Sequence, residues 1–223
     1  MTTVAVAVQD SKARGRCPLH PPPGATAPGP RPVTDWLRHE LEVSGRAAEV
    51  AAFRTAAAGA NIIPWALDLA AGEEGWFLLL LRTAPRNLSV AGARALAAQL
   101  RIAVDARHGA LCGWVGRNRA CPLDLHALVP VPPAILRRGP DDPASDAWLW
   151  GNWGTTEPLR HVREIRARPG RRRGLARFRV EFFAADWTPW RALLTMRARW
   201  PSLRFEVWPD YDRDEEPPGR PDG

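Results

Sequence analysis

Asp124 and His126 stand two residues apart in Leu123-Asp124-Leu125-His126-Ala127-Leu128-Val129, where alternating apolar residues predict a strand. On a strand that spacing puts both side chains on one face, and a carboxylate there can orient an imidazole as a general base. A hydrolase built on the pair also needs a nucleophile, and no serine of the chain sits in a nucleophile-elbow context. No phosphate-binding loop or dinucleotide fingerprint occurs, and Gly151-x-x-Gly154 is too slight a pattern to cradle a phosphate. The expectation is a structural histidine bonded near the sheet, with no catalytic residue and no cofactor. His108, Cys112, Cys121 and His126 offer four soft metal ligands, but their spacing fits no closed zinc module and predicts separate roles.

Charge gives a second candidate. Of the 31 basic residues only Lys12 is a lysine, an imbalance that reflects arginine-rich coding more than selection for guanidinium chemistry. Position is more informative than total. Between Arg160 and Val180 lie nine arginines and a single acid, Glu164, while the whole chain carries +7, so the remainder is slightly acidic. Arg166, Arg168, Arg171, Arg172 and Arg173 fall in Arg168-Pro169-Gly170-Arg171-Arg172-Arg173-Gly174, which has the composition of a hairpin loop. Guanidinium groups on such a loop can neutralise phosphates or an acidic protein surface. The strand that follows, through Phe178, Val180 and Phe182, bears a distant likeness to the aromatic RNA-stacking strand of RRM domains, with Leu175 where an aromatic belongs.

Tryptophan gives a third. Trp148-Leu149-Trp150-Gly151-Asn152-Trp153-Gly154-Thr155 packs three indoles into eight residues, each with a large apolar face and one N–H to satisfy. Trp153, Trp187, Trp200 and Trp208 bracket turns and helix ends and are expected in the core or at its corners. Trp36, Trp148, Trp150 and Trp190 are less constrained, and Trp148, Trp150 and Trp190 are candidates for an aromatic contact patch.

These residues need elements to hold them. Leu37, His39, Leu41 and Val43 alternate with polar neighbours over residues 36–43 as a half-buried strand, and Val50, Phe53 and Ala57 continue at helical spacing to Gly59. Residues 61–86 read as helix despite Pro64. Ser89 is a good N-cap for a helix with Val90, Ala93, Leu96, Ala97, Leu100 and Val104 on one stripe. A helix over about Pro143–Gly151 carries the tryptophan cluster. Strands follow at about His161–Arg166 and Arg177–Phe183, then a helix capped by Thr188 with Pro189 in its first turn, then a last strand through Leu203, Phe205 and Val207.

Residues 1–33, rich in proline, and 210–223, acidic and then proline-rich, hold too little apolar surface to offset their ordering entropy and are expected to be disordered, flanking one domain over 34–209 with a helical insert at about 60–120. The Val4–Val8 run lacks the length and basic flank of a signal sequence, and Trp76–Leu81 is too short to span a bilayer. Cys17, Cys112 and Cys121 are odd in number and lack C-x-x-C spacing, which fits reduced thiols and a cytoplasmic, membrane-free location.

Over about residues 35–209 the chain resembles the YubB-type ferredoxin-like domain family, found largely in phages and plasmids and without an assigned activity. The family's F-D-F-N-x-I-I-P-x-P block is matched by Leu123 to Pro132, its N-W-G-T-K-W block by Asn152-Trp153-Gly154-Thr155-Thr156-Glu157, and its F-x-T-A-W-S-P-P block by Phe183 to Trp190, followed by Trp200-Pro201-x-Leu203-x-Phe205-x-Val207. His126, Thr156, Glu157 and Trp190 depart from the pattern, so a charged site at the family's lysine does not transfer. The resemblance implies an α+β, ferredoxin-like antiparallel sheet of about five strands with helices on one face, and makes Asn152, Trp153, Gly154, Thr155, Trp187 and Pro189 a fold signature. The functional expectation is a non-enzymatic binding or interaction module with a protein or other acidic partner; nucleic acid bound through the hairpin is the alternative, and hydrolysis at Asp124 and His126 the third.

Overall fold

The computed structural model describes residues 34–82, 88–166 and 174–210. Of the expected disordered ends, residues 1–33 and 210–223, all but Asp210 lie outside that range, and Asp210 is the last residue of a strand. β1 (Trp36–Arg46) alternates as the sequence predicts, with His39, Leu41 and Val43 fully buried, and it runs through Ser44-Gly45 before α1 (Ala47–Ala57) starts. α1 buries Val50, Phe53 and Ala57 against the sheet. Helix over 61–86 is found from Leu69 onward, as α2 (Leu69–Arg82), opened by Asp68, whose carboxylate accepts from Ala71 N at 2.9 Å. α3 (Val90–Cys112) begins at Ser89 as predicted, with the hydroxyl accepting from Gly92 N at 3.0 Å. Its stripe is buried only at Ala93 and Ala97, which join Phe77 of α2 in a small cluster separate from the main core.

The predicted strand over Leu123–Val129 is a correction. Those residues form a single helical turn, α4 (Leu125–Leu128), with Asp124 as its N-cap. Leu123, Leu125 and Leu128 are all buried, so the apolar residues line one side of a turn instead of one face of a strand. Pro130, Pro132 and Pro133 follow, removing three backbone donors a ladder would need. α5 (Pro133–Leu136) and α6 (Pro143–Asn152) come next, the latter capped by Asp142, which accepts from Ala144 N at 2.7 Å.

β2 (Arg160–Glu164), β3 (Leu175–Ala185), α7 (Trp190–Arg199) and β4 (Arg204–Asp210) complete the described elements. The sheet has four strands among these residues, in the order β2-β3-β1-β4, every pair antiparallel, so the expected fifth strand is absent from it. The fold is α+β. α1 and α7 cover one face, where Phe53 meets Phe178 and Phe205 edge-on and Ala192, Leu193 and Met196 enter the same core as Leu41, Val180 and Phe182. No described element packs on the opposite face. No helix among the described residues is long and apolar enough to cross a membrane.

Candidate functional site

The uncovered face of the sheet is ionic. Glu181, nearly buried on β3, accepts from Arg163 Nε of β2 at 2.7 Å and from Arg38 Nε of β1 at 2.9 Å, with a second Arg38 bond from Nη2. The Arg163 bond, then those from Arg38, hold its carboxyl below the usual carboxylate range against the opposing effect of burial. Glu40 pairs with Arg179, Glu42 with Arg177 at 3.3 Å, and Glu206 with Arg204. At the margins Arg160 lies 3.8 Å from the ring centroid of Trp36, and His161, held at φ 49° beside the β2 bulge, meets Phe183 edge-on. Phe178, Val180 and Phe182 all point into the core, and the aromatics of this face are Phe183, opposite Arg38, and Trp208 of β4, opposite Glu40 with Arg179 5.9 Å from its ring centroid. The RRM-like reading of β3 therefore loses the three residues that carried it.

Register explains why sequence overstated the basic region. Arg160, Arg163, Arg177 and Arg179 each pair with a carboxylate, three of the four on strands or turns distant enough that local charge counting misses them. Among the described residues, pairing ends at the feet of the hairpin. Ile165 N donates to Arg179 O at 2.9 Å and Ala47 N to Gly174 O at 3.0 Å, which sets both feet of the connection beside the start of α1. There Arg46 and Arg166 are exposed and make no ion pair among the described residues. Arg168, Arg171, Arg172 and Arg173 lie outside the described residues.

Asp124 and His126 do not form an acid–base pair. Asp124 Oδ1 accepts from His126 N at 2.8 Å and Ala127 N at 3.3 Å, while Oδ2 accepts from Asn61 N at 2.9 Å. The carboxylate is thus spent joining α4 to the chain after α1. Gly59 is required beside it, since a Cβ there would lie 2.0 Å from Oδ2. His126 Nδ1 accepts from Val131 N at 3.2 Å, and burial lowers its pKa, with the charge of Asp124 acting in the other direction. His126 thus stands on a helical turn, where a bond near the sheet was expected, and its ring nitrogen ties α4 to the chain that follows it.

The possible metal ligands also separate. His108 Nε2 lies 2.8 Å from Trp65 O and 3.3 Å from Cys112 Sγ, whereas Cys121 Sγ donates to Leu123 O at 3.2 Å and burial pushes its thiol up to about 11. No group of three or more His, Cys, Asp or Glu converges among the described residues. A cleft of about 440 Å³ opens between the end of α1, residues 119–122 and β2. Its charges are already engaged: Arg54 pairs with Glu164 at 2.7 Å, and Arg119 donates to Thr55 O at 2.8 Å and Ala58 O at 3.3 Å, closing the last turn of α1.

The tryptophan run splits. Trp153 is fully buried with Nε1 donating to Val129 O at 2.8 Å, and Trp148 packs edge-on against it, 6.2 Å between centroids. Asn152 Nδ2 turns back to Trp148 O at 2.8 Å. Trp190, expected as a contact residue, is only 4% exposed. Gly154 at φ 82° allows this, because a Cβ there would meet Trp190 Cδ1 at 3.0 Å and Trp190 N at 3.1 Å. Ala192 N donates to Trp153 O at 3.1 Å and Thr155 Oγ1 to Ala185 O at 3.0 Å, so residues 152–156 and 185–192 lock together. Trp187 and Trp150 are half-buried, and Trp150, unlike Trp148 and Trp153, is not among the residues packed in or against the main core.

Sequence reasoning passed over one buried site. His39 is fully buried on β1, its ring stacked on Phe182 with 5.1 Å between centroids, Nδ1 2.8 Å from Leu37 O and Nε2 2.9 Å from Thr188 Oγ1. A carbonyl only accepts, so Nδ1 carries the proton and Nε2 accepts from the threonine. Thr188 therefore ties α7 to β1 instead of capping the helix, and Pro189 stands at the cap position. Burial lowers the pKa of His39 to about 4. The inward alternation on β1 marked His39; nothing local marked its partner.

The chain matches no protein-family model, no curated protein and no solved structure.

Proposed function

We propose that this chain is a non-enzymatic binding module of the YubB-type ferredoxin-like kind, acting in the cytoplasm and gripping an acidic partner at the hairpin end of its sheet. The β-α-β-β-α-β succession of β1, α1, β2, β3, α7 and β4, with α2 to α6 inserted, and the β2-β3-β1-β4 order support the fold. The mutual packing of residues 152–156 and 185–192 supports their reading as a fold signature. Two free thiols, Cys112 and Cys121, are compatible with a reducing compartment.

One observation carries the binding site: among the described residues ion pairing covers the open face and stops at the feet of the hairpin, where exposed Arg46 and Arg166 flank a segment whose sequence holds four more arginines and no acid. Unpaired guanidinium groups repel one another, and an anionic partner relieves that cost. A nucleic-acid backbone is the second reading, favoured by the run Arg171-Arg172-Arg173, whose forks suit phosphate oxygens.

The test is retention on immobilised polyglutamate beside a salt titration on DNA and RNA. The wild-type chain should elute later than a variant with Arg166, Arg171, Arg172 and Arg173 changed to Glu; equal elution overturns the proposal. Nucleic-acid binding whose log affinity falls with log salt by roughly 0.9 per phosphate contacted, and which the variant loses, favours the second reading. Retention on polyglutamate without nucleic-acid binding at low salt leaves the acidic protein partner.

A further inference from the structure

Among the described residues the exposed large hydrophobic side chains, apart from Leu175 and Leu194, all lie between Leu78 and Trp114, on or beside α2 and α3. α2 packs on α3 alone, and only Phe77, Ala93 and Ala97 are buried between them. A helix apolar on every side, as Trp76-Phe77-Leu78-Leu79-Leu80-Leu81 makes α2, belongs in a protein interior. Yet Leu78 is 49% and Leu79 63% exposed.

At 3.6 residues per turn Ala71, Gly72, Gly75, Leu78, Leu79 and Arg82 share the side of α2 turned away from α3, with Asp68 in line just before the helix. Glycine costs about 1 kcal/mol relative to alanine inside a helix, so two of them in α2 need a reason. A Cβ at Gly75 would meet nothing within 4 Å, so its own chain gives none. Close approach by another helix does.

We propose that this face is the interface of a homodimer, two copies of α2 packing antiparallel with Gly75 on the two-fold axis. Residues equidistant from Gly75 then oppose each other across the axis. Leu78 meets Gly72 of the second copy, Leu79 meets Ala71, and Arg82 meets Asp68. Each large side chain thus falls on a small one, and each exposed charge on its opposite. Asp68 and Arg82 make no ion pair within the described part of their own chain, although Asp68 Oδ1 accepts from Ala71 N. This matching of size and charge is what makes a second copy the occupant, since an isologous contact must fit itself. The inference is independent of the hairpin.

Light scattering on the full chain at micromolar concentration should give twice the chain mass. Leu78→Glu with Leu79→Glu should give a monomer with unchanged far-UV circular dichroism. Gly75→Cys should form an inter-chain disulfide within minutes of diamide addition. Gly109→Cys, on the exposed later part of α3, should form none beyond the wild-type background. A wild-type monomer overturns the proposal whether or not some other protein covers the face. So does a dimer that survives both glutamates, or cross-linking at Gly109 as fast as at Gly75.

Discussion

Lowering the pH should destabilise the fold through His39 before any other histidine of the core contributes as much. The ring is fully buried, and its two nitrogens are committed to Leu37 O and Thr188 Oγ1, an arrangement that suits the neutral imidazole only. Protonating Nε2 would set a second N–H against a hydroxyl that now donates to it, in a site stacked on Phe182. The folded pKa of about 4 lies below the ordinary histidine value of 6.5. Between those values the unfolded chain takes up a proton that the folded chain refuses. Stability from this group is complete above pH 6.5 and lost as pH falls toward 4. At about 1.4 kcal/mol per pKa unit the loss is about 3 kcal/mol. Urea unfolding of the wild type and of His39→Phe at pH 7, 6, 5 and 4.5 isolates it, because carboxylate contributions and that of His126 cancel in the difference. The wild-type advantage should shrink by most of that amount across the series. A difference flat in pH, or a native His39 resonance that titrates near 6.5, would refute the reasoning.

Four further outcomes follow from contacts described above. Asp124→Ala strips a cap and leaves the buried-side Asn61 N–H without its acceptor, and urea unfolding should show a loss of about 2–4 kcal/mol; a loss below about 1 kcal/mol would mean water takes over these bonds. Gly59→Ala should destabilise the wild type but much less in an Asp124→Gly background, which removes both the carboxylate and the Cβ that would lie 2.7 Å from the added methyl, and a double-mutant cycle without coupling counts against it. Gly154→Ala combines a left-handed φ with contact to backbone at Trp190 N and should lower stability by more than about 2 kcal/mol, with a shift in tryptophan emission as residue 190 moves; an unchanged melting temperature contradicts this account. Alkylation at pH 8 mapped by mass spectrometry should find Cys121 the slower of the two described thiols, its pKa being pushed up to about 11.

Local patterns predicted local structure well. Ser89 caps α3, the alternation on β1 and β3 sorts their faces, and the helix expected from about Pro143 is α6. Leu123–Val129 misled because two-residue alternation over so short a stretch also fits a single turn; the deciding signals were Asp124, which caps, and the prolines, which cannot pair. Trp190 was expected outside because its burial depends on Gly154, far away in sequence. Thr188 read as a cap because its partner lies on another strand. What sequence could not expose were the contacts that exist only once register is set.

The ion pairs across β1 and β3 all run along one diagonal. Arg38, Glu40 and Glu42 each reach past their direct neighbours Phe183, Glu181 and Arg179 to Glu181, Arg179 and Arg177. Directly opposed Glu40 and Glu181 would repel, so the sheet depends on that diagonal. Sliding β3 by two residues keeps every apolar side chain facing the core, and burial alone does not forbid it. In one direction the slip sets Glu42 opposite Glu181 and leaves Glu40 opposite Phe183; in the other it sets Arg38, Glu40 and Glu42 directly opposite Glu181, Arg179 and Arg177, the partners they already hold diagonally. The charges on the open face therefore oppose one of the two neighbouring alignments of the central strands and tolerate the other, which is left to the fit of side chains in the core to reject.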